Sequence, residues 1–200
     1  MVSTIKTMIF AVAITVLSTI PVNAQNATKW KIDKKHTSVN FSINHFFSSV
    51  PGKFTDFDGM IHFDPNNLKG SKVDFSVSIN SVDTDNRKRD KHLQSKDFFD
   101  AKTYSKMSFQ STKIEKKSDK EYLIHGKLTI KDKTKNVVLP MKITGKMEHP
   151  MMKGTIILGV VIDTTIDRTD YGVGTGDWAA TMVVGNEVKI HIPMELNRKK

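Results

Sequence analysis

Seven histidines offer acid–base or metal chemistry in this chain: His36, His45, His62, His92, His125, His149 and His191. No two stand four apart, as a helical metal site requires, and none sits beside a paired acidic ligand motif. His45 falls on the apolar phase of its segment, where it reads as a satisfied core or rim histidine or as a polar contact to a ligand head group. Gly172-Val173-Gly174-Thr175-Gly176 is glycine-rich. No Lys completes a phosphate-binding loop, and the following Asp177-Trp178-Ala179-Ala180 leads into a strand-like run, not a helix. No Gly-x-Ser-x-Gly elbow occurs. Asp167-Arg168-Thr169-Asp170-Tyr171-Gly172 closes a hydrophobic run, and Arg87, Arg89 and Asp90 lie in a second charged stretch. These charges either pair across a rim, where exposed pairs contribute little, or aim an Arg at a polar ligand head. No catalytic constellation is visible, so the expectation is a protein that is not an enzyme and holds no metal or cofactor.

The elements that must carry these residues alternate with period two. Val39, Phe41, Ile43 and His45 share one face, as do Phe57, Gly59, Ile61 and Phe63. So do Val73, Phe75, Val77 and Ile79, and near the end Val188, Ile190, Ile192, Met194 and Leu196. Weaker strands are expected at 107–112, 122–131, 137–147 and 155–166, with Pro140 marking an edge or bulge. Turn signals separate them. About eight strands at short spacing, each with one apolar face, close into a barrel or split into a sandwich. The long strands favour an all-β, eight-stranded antiparallel up-and-down barrel of lipocalin type, able to enclose a small ligand.

One insertion breaks the alternation. Asp85–Leu93 is charged and reads as a short helix. Phe98 and Phe99 follow it, and with Leu93 they are the apolar contacts expected to close or gate the barrel mouth. Periodicity alone leaves the interior open between a solid core and a cavity for an apolar molecule.

Residues 1–24 read as a secretory signal peptide, with Lys6 ahead of an apolar run from Met8 to Ile20 and Val22-Asn23-Ala24 before the cut. The remaining 25–200 suits one domain, expected in the periplasm. The absence of Cys removes any disulfide framework, so the domain rests on core burial. The whole chain carries a formal net charge of +10, and loss of the leader removes one Lys and no acid. A basic surface attracts anionic membrane; export and the lack of an aromatic-studded basic motif argue against nucleic acid.

Several blocks, in order, resemble the exported YceI-like, polyisoprenoid-binding proteins. They are His36-Thr37-Ser38-Val39-Asn40-Phe41-Ser42-Ile43-Asn44-His45, Gly52-Lys53-Phe54-Thr55-Asp56-Phe57-Asp58-Gly59, Arg89-Asp90-Lys91-His92-Leu93 with Asp97-Phe98-Phe99-Asp100, Met107-Ser108-Phe109-Gln110-Ser111, Gly126-Lys127-Leu128-Thr129-Ile130-Lys131, and Ile166-Asp167-Arg168-Thr169-Asp170-Tyr171-Gly172. The resemblance implies a lipocalin-like barrel with a helical insertion and an apolar tunnel for a long isoprenoid chain, such as a quinone tail. The chain departs from the family pattern at Gly159–Thr165. Phe41, Ile43, His45, Phe57, Phe75, Phe98, Phe109, Leu128 and Ile130 are the residues expected to line the tunnel. Expected partners are the isoprenoid lipid, a transient anionic membrane surface and no nucleic acid, with a homodimer as an open alternative to a monomer. Two rivals stand beside this carrier. One is an enzyme on a lipid or isoprenoid, using His45, His92 or the Asp167–Arg168 pair. The other is a solid-core protein that meets membrane through its basic surface.

Overall fold

The computed structural model describes residues 27–200, so the expected leader lies outside the described residues. Among the described residues, eleven strands form one antiparallel sheet, and pairing of the chain's first strand with its last closes it. The strands are β1 (Lys29–Ile32), β2 (Val39–His45), β3 (Ser48–Phe54), β4 (Phe57–His62), β5 (Lys72–Ser78), β6 (Val82–Asp83), β7 (Lys106–Lys116), β8 (Glu121–Ile130), β9 (Lys133–Glu148), β10 (Thr155–Asp167) and β11 (Val184–Lys199).

Eleven strands reduce to eight staves. β1 and β2 both run along β11, with Ile32 opposite Leu196 and Phe41 opposite Ile190. β4 continues β3, pairing with β1 where β3 pairs with β2. β6 continues β5 in the same way, against β3 and β4. The expected eight-stranded up-and-down barrel is therefore present, and three of its staves are broken. The breaks fall at 33–38, at Thr55-Asp56 and at a 3-10 turn, Ile79–Ser81. The sequence reading missed β1 and β3 as separate pieces. β3 carries Pro51 and Gly52 and shows no clean alternation, and β1 is four residues long.

The meander sets all hairpins at one of two ends. The first end gathers the β2–β3 turn, the helical insertion, the β8–β9 turn and the loop 168–183. The second gathers the β4–β5, β7–β8 and β9–β10 turns and the chain's last residues. At the second end the interior is solid. Trp30, Phe63 and Tyr122 are buried there, with Trp30 Nε1 donating to the Phe63 carbonyl at 2.8 Å and the Phe63 and Tyr122 rings edge-on at 5.0 Å.

Toward the first end the wall thins. β9 and β10 pair from Ile156↔Glu148 to Ile162↔Met141, with a register slip between Gly159 and Val160, and no further. Residues 133–140 of β9 then pair with β8 alone, and 163–167 of β10 with β11 alone. Pro140 lies just past that limit, where its missing N–H leaves no ladder bond unmade. The Lys135–Asp170 ion pair at 3.2 Å and a bond from Lys131 Nζ to the Gly172 carbonyl at 2.8 Å span the gap.

Candidate functional site

Alternation aims one side chain in two at the barrel axis. Between the solid end and the insertion, those side chains leave a cavity of about 220 Å³. Its floor is set by Ile61, Ile124 and Leu196, and its roof by Leu93, Phe98, Phe99 and Val173. Polar side chains in the lining are few: Asn40, Ser108, Thr164 and Arg168.

Of the nine expected lining residues, Phe41, Ile43, Phe75, Phe98, Phe109, Leu128 and Ile130 border this cavity. Phe57 does not: it is buried behind Phe75, their rings stacked at 5.8 Å. His45 is corrected more sharply. It has the inward phase, but β2 ends with it above the rim, so it is exposed and rests edge-on against the Phe46 ring at 4.7 Å.

The roof is built by two segments. The helix α1 (Arg87–Leu93) starts at Asn86, whose side chain accepts from the Lys88 and Arg89 amides. That cap answers two of the donors a helix start leaves open. The helix buries no residue completely, as its run of charges demands, and Leu93 is its half-buried apolar contact. Arg89 reaches back to the Thr84 hydroxyl at 2.7 Å and carbonyl at 2.6 Å, and Asp90 accepts from Thr84, so these charges fix the helix to the barrel. Beyond it, Phe98, Ile130, Tyr171 and Val173 make a buried cluster distinct from the main core. Trp178 crosses from the opposite loop to meet both Phe98 at 5.6 Å and His92 at 5.0 Å. His92 is held by Asp97 at 2.9 Å, and the Thr175 amide donates to the Asp97 carbonyl at 2.8 Å. The two segments are thus clasped over the cavity.

Arg168 was expected at a rim, paired or aimed at a ligand head. It is instead buried, and among the described residues it forms no ion pair. Its Nε donates to the Gly185 carbonyl, Nη2 to Val184 and Nη1 to Val173, at 2.8, 2.8 and 2.6 Å. The register of β11 against β2 slips between Val184 and Val188, so β11 bulges there and its carbonyls lose strand partners. Arg168 supplies donors in their place. Burial lowers the guanidinium's pKa, and neighbouring Asp167 opposes that shift. The Asp167 carboxyl is held below the usual range, chiefly by the Thr169 hydroxyl, with Asn186 adding a second bond at 2.6 Å. Gly174 is needed because the guanidinium occupies the space beside it: a Cβ there would lie 2.1 Å from Arg168 Nη1, at a φ of +88°. The glycine-rich loop therefore serves a buried arginine, which no spacing rule in the sequence announces.

Elsewhere, Asp33, His36 and Glu195 place one ligand atom each within 4.8 Å of one another, a grouping the sequence reading did not find. His36 Nδ1 lies 3.1 Å from Asp33 and 3.7 Å from Glu195, at the break between β1 and β2. The imidazole Nδ1 hydrogen-bonds Asp33 and stands only at ion-pair distance from Glu195, and all three groups face solvent at least in part.

The chain matches a YceI-like domain over residues 30–196. It is 34% identical over 171 residues to a UPF0312 protein of Vibrio cholerae, covering 84% of this chain and 89% of that one. A UPF0312 protein of Pectobacterium carotovorum is 33% identical over 198 residues, 98% of each chain. Among solved structures, BcnA of Burkholderia cenocepacia superposes with a TM-score of 0.72 at 27% identity, over 84% of this chain and 100% of that one. A YCEI protein of Campylobacter jejuni gives 0.68 at 33%, over 76% and 87%. A polyisoprenoid binding domain from Saccharophagus degradans gives 0.64 at 13%, over 88% and 100%, a likeness of fold. Sequence match and barrel agree, and the chain belongs to the YceI-like domain family.

Proposed function

We propose that this protein is an exported carrier that sequesters a long-chain polyisoprenoid, such as an isoprenoid quinone, or a similar amphiphile in its barrel. It would act in the periplasm, after cleavage of residues 1–24. The observation that carries the reading is the near-hydrocarbon lining of a cavity running from the roof at Phe98 to the floor at Leu196. A prenyl chain needs little else. Burial is worth about 0.8 kcal/mol per methylene, so each five-carbon unit contributes roughly 4 kcal/mol. A few units offset an association cost of about 4–15 kcal/mol. The same fold serves as a polyisoprenoid binding domain in the S. degradans protein, which supports the reading at the level of architecture.

The rival with an observation of its own is the solid-core reading. The cavity, about 220 Å³, is smaller than the ~300–1,000 Å³ usual for ligand pockets. A long chain enters only if lining rings such as Phe41, Phe75 and Phe109 change rotamer. Native mass spectrometry of protein purified from its own host decides between them. The carrier reading expects a co-purifying isoprenoid mass that is lost on denaturation. Protein that emerges without lipid, and takes up none from a prenyl-lipid micelle, overturns it.

A further inference from the structure

The β2–β3 turn is made of two phenylalanines. His45 pairs with Ser48, leaving Phe46 and Phe47 as the whole loop. Phe46 has a φ of +50°, a conformation that favours Gly, and it stays 55% exposed, while Phe47 is fully exposed. A polar or glycine pair would make this turn with less strain and better hydration. Met182, also exposed, stands on the neighbouring loop, which is tied to the turn by the Phe46 amide donating to the Val183 carbonyl at 2.9 Å. Two positions below this tip, Ile43 and Val184 border the cavity. The apolar tip thus crowns the end of the barrel opposite the Trp30–Phe63–Tyr122 plug.

We infer that Phe46, Phe47 and Met182 insert into a lipid bilayer and dock the barrel mouth on it, an inference whose purpose rests on the carrier reading. Three features select a bilayer over a protein. The tip is a convex turn that offers no groove. Two Phe and one Met expose roughly 500 Å² at most, well below the ~800 Å² per partner of a stable protein interface. Phe and Met side chains transfer favourably from water into the acyl boundary while the backbone polar groups of the turn stay wet. The same end carries Arg87, Lys88 and Lys91 exposed on α1, and none of the three forms an ion pair among the described residues. Asp85, Asp100, Asp132 and Asp177 also lie at this end, so charge assists only weakly and apolar insertion dominates.

The other end provides the internal comparison. Met147, Met151 and Met152 are exposed there beside Lys146, Lys153, Lys199 and Lys200, a surface more basic than the tip. Vesicles of phosphatidylethanolamine and phosphatidylglycerol are mixed with the mature protein and sedimented, at low and high salt. Phe47→Ser with Met182→Ser is expected to weaken binding about tenfold or more at both salt levels, and Met151→Ser with Met152→Ser to change it less than twofold. Occupancy by a prenyl lipid loaded from detergent micelles is read in parallel and is expected to be unchanged. Tip variants that bind vesicles as the parent does overturn the docking inference and leave the carrier reading intact. So does binding that high salt abolishes, or that the Met151/Met152 variant loses. Tip variants that alter the sedimentation of the protein alone show a copy-to-copy contact and likewise overturn it. A parent protein that binds vesicles through the tip yet never loads lipid removes the carrier reading and leaves the docking.

Discussion

The ring of Phe109 lies over Gly126 on the neighbouring strand. A Cβ at Gly126 would come within 2.4 Å of Phe109 Cζ and 2.5 Å of the Gln110 carbonyl oxygen. One of these contacts is backbone, so the strand pair cannot relax around it. Gly126 therefore sets where a cavity-bordering ring can lie.

Gly126→Ala is expected to destabilise the barrel by about 1–3 kcal/mol, the usual range for overpacking. Urea denaturation measures it. The change should also push Phe109 toward the axis and reduce uptake of a prenyl probe. An unchanged midpoint with unchanged uptake would mean that the ring has room to move aside.

Phe98→Ala opens the roof. Phe98 is buried between Ile130, Tyr171, Val173 and Trp178. Truncating a buried Phe typically costs about 3–5 kcal/mol. Because this cluster is separate from the main core, the loss should fall on the clasp and speed ligand release. Stopped-flow displacement of a fluorescent prenyl probe reads the rate. An unchanged rate would make the segment a structural cover with no part in access.

Arg168→Met keeps much of the volume and removes all donors to the Val173, Val184 and Gly185 carbonyls. Each buried acceptor left without a partner costs about 1–3 kcal/mol, so a total of roughly 3 kcal/mol or more is expected in thermal or urea melts. Hydrogen exchange should rise at 184–188 before the rest of β11. If ligand affinity falls while these amides stay protected, Arg168 acts on the ligand instead.

Acid should weaken the fold through Asp33 and Asp167. The His36 side chain lowers the first, and the Thr169 hydroxyl leads in lowering the second. A carboxyl whose native pKa lies below its unfolded value of about 3.9 contributes stability that is complete above that value. The contribution is lost as pH falls through the lower native value. Stability should therefore rise with pH on the acid side and level off above about pH 5. Asp167→Asn should flatten part of that slope. A parallel curve for parent and variant in urea titrations from pH 2 to 6 would exclude Asp167 as a contributor.

Period-two alternation made the staves legible, because each strand separates a wet face from an apolar one and the side-chain period is fixed. It also placed Phe41, Phe75 and Phe109 on the inside. It failed where position along the strand matters as well as phase. His45 has the inward phase but sits past the rim, and Phe57 has it but lies behind another ring. Arg168 could not be read, because its partners are backbone carbonyls, one in the loop five residues on and two freed by a bulge in a strand about sixteen residues on. Phe46 and Phe47 drew no expectation at all: only the turn geometry shows that these two aromatic residues face outward. The helix was legible from its charges and ends at Leu93 as expected, but it starts at Arg87 behind the Asn86 cap, two residues later than the expected Asp85.

The Trp30–Phe63–Tyr122 plug makes the barrel a blind tube. A linear guest cannot be threaded through such a tube; it enters by one end and backs out the same way. On the carrier reading its polar head would stay near the roof, and the depth from the roof to the floor at Ile61, Ile124 and Leu196 would act as a ruler. Chains shorter than that depth leave hydrocarbon wall uncovered, and longer ones leave tail outside in water. Length discrimination would then reside in the Ile61, Ile124 and Leu196 floor, backed by the three plug aromatics at the end farthest from where the guest is exchanged.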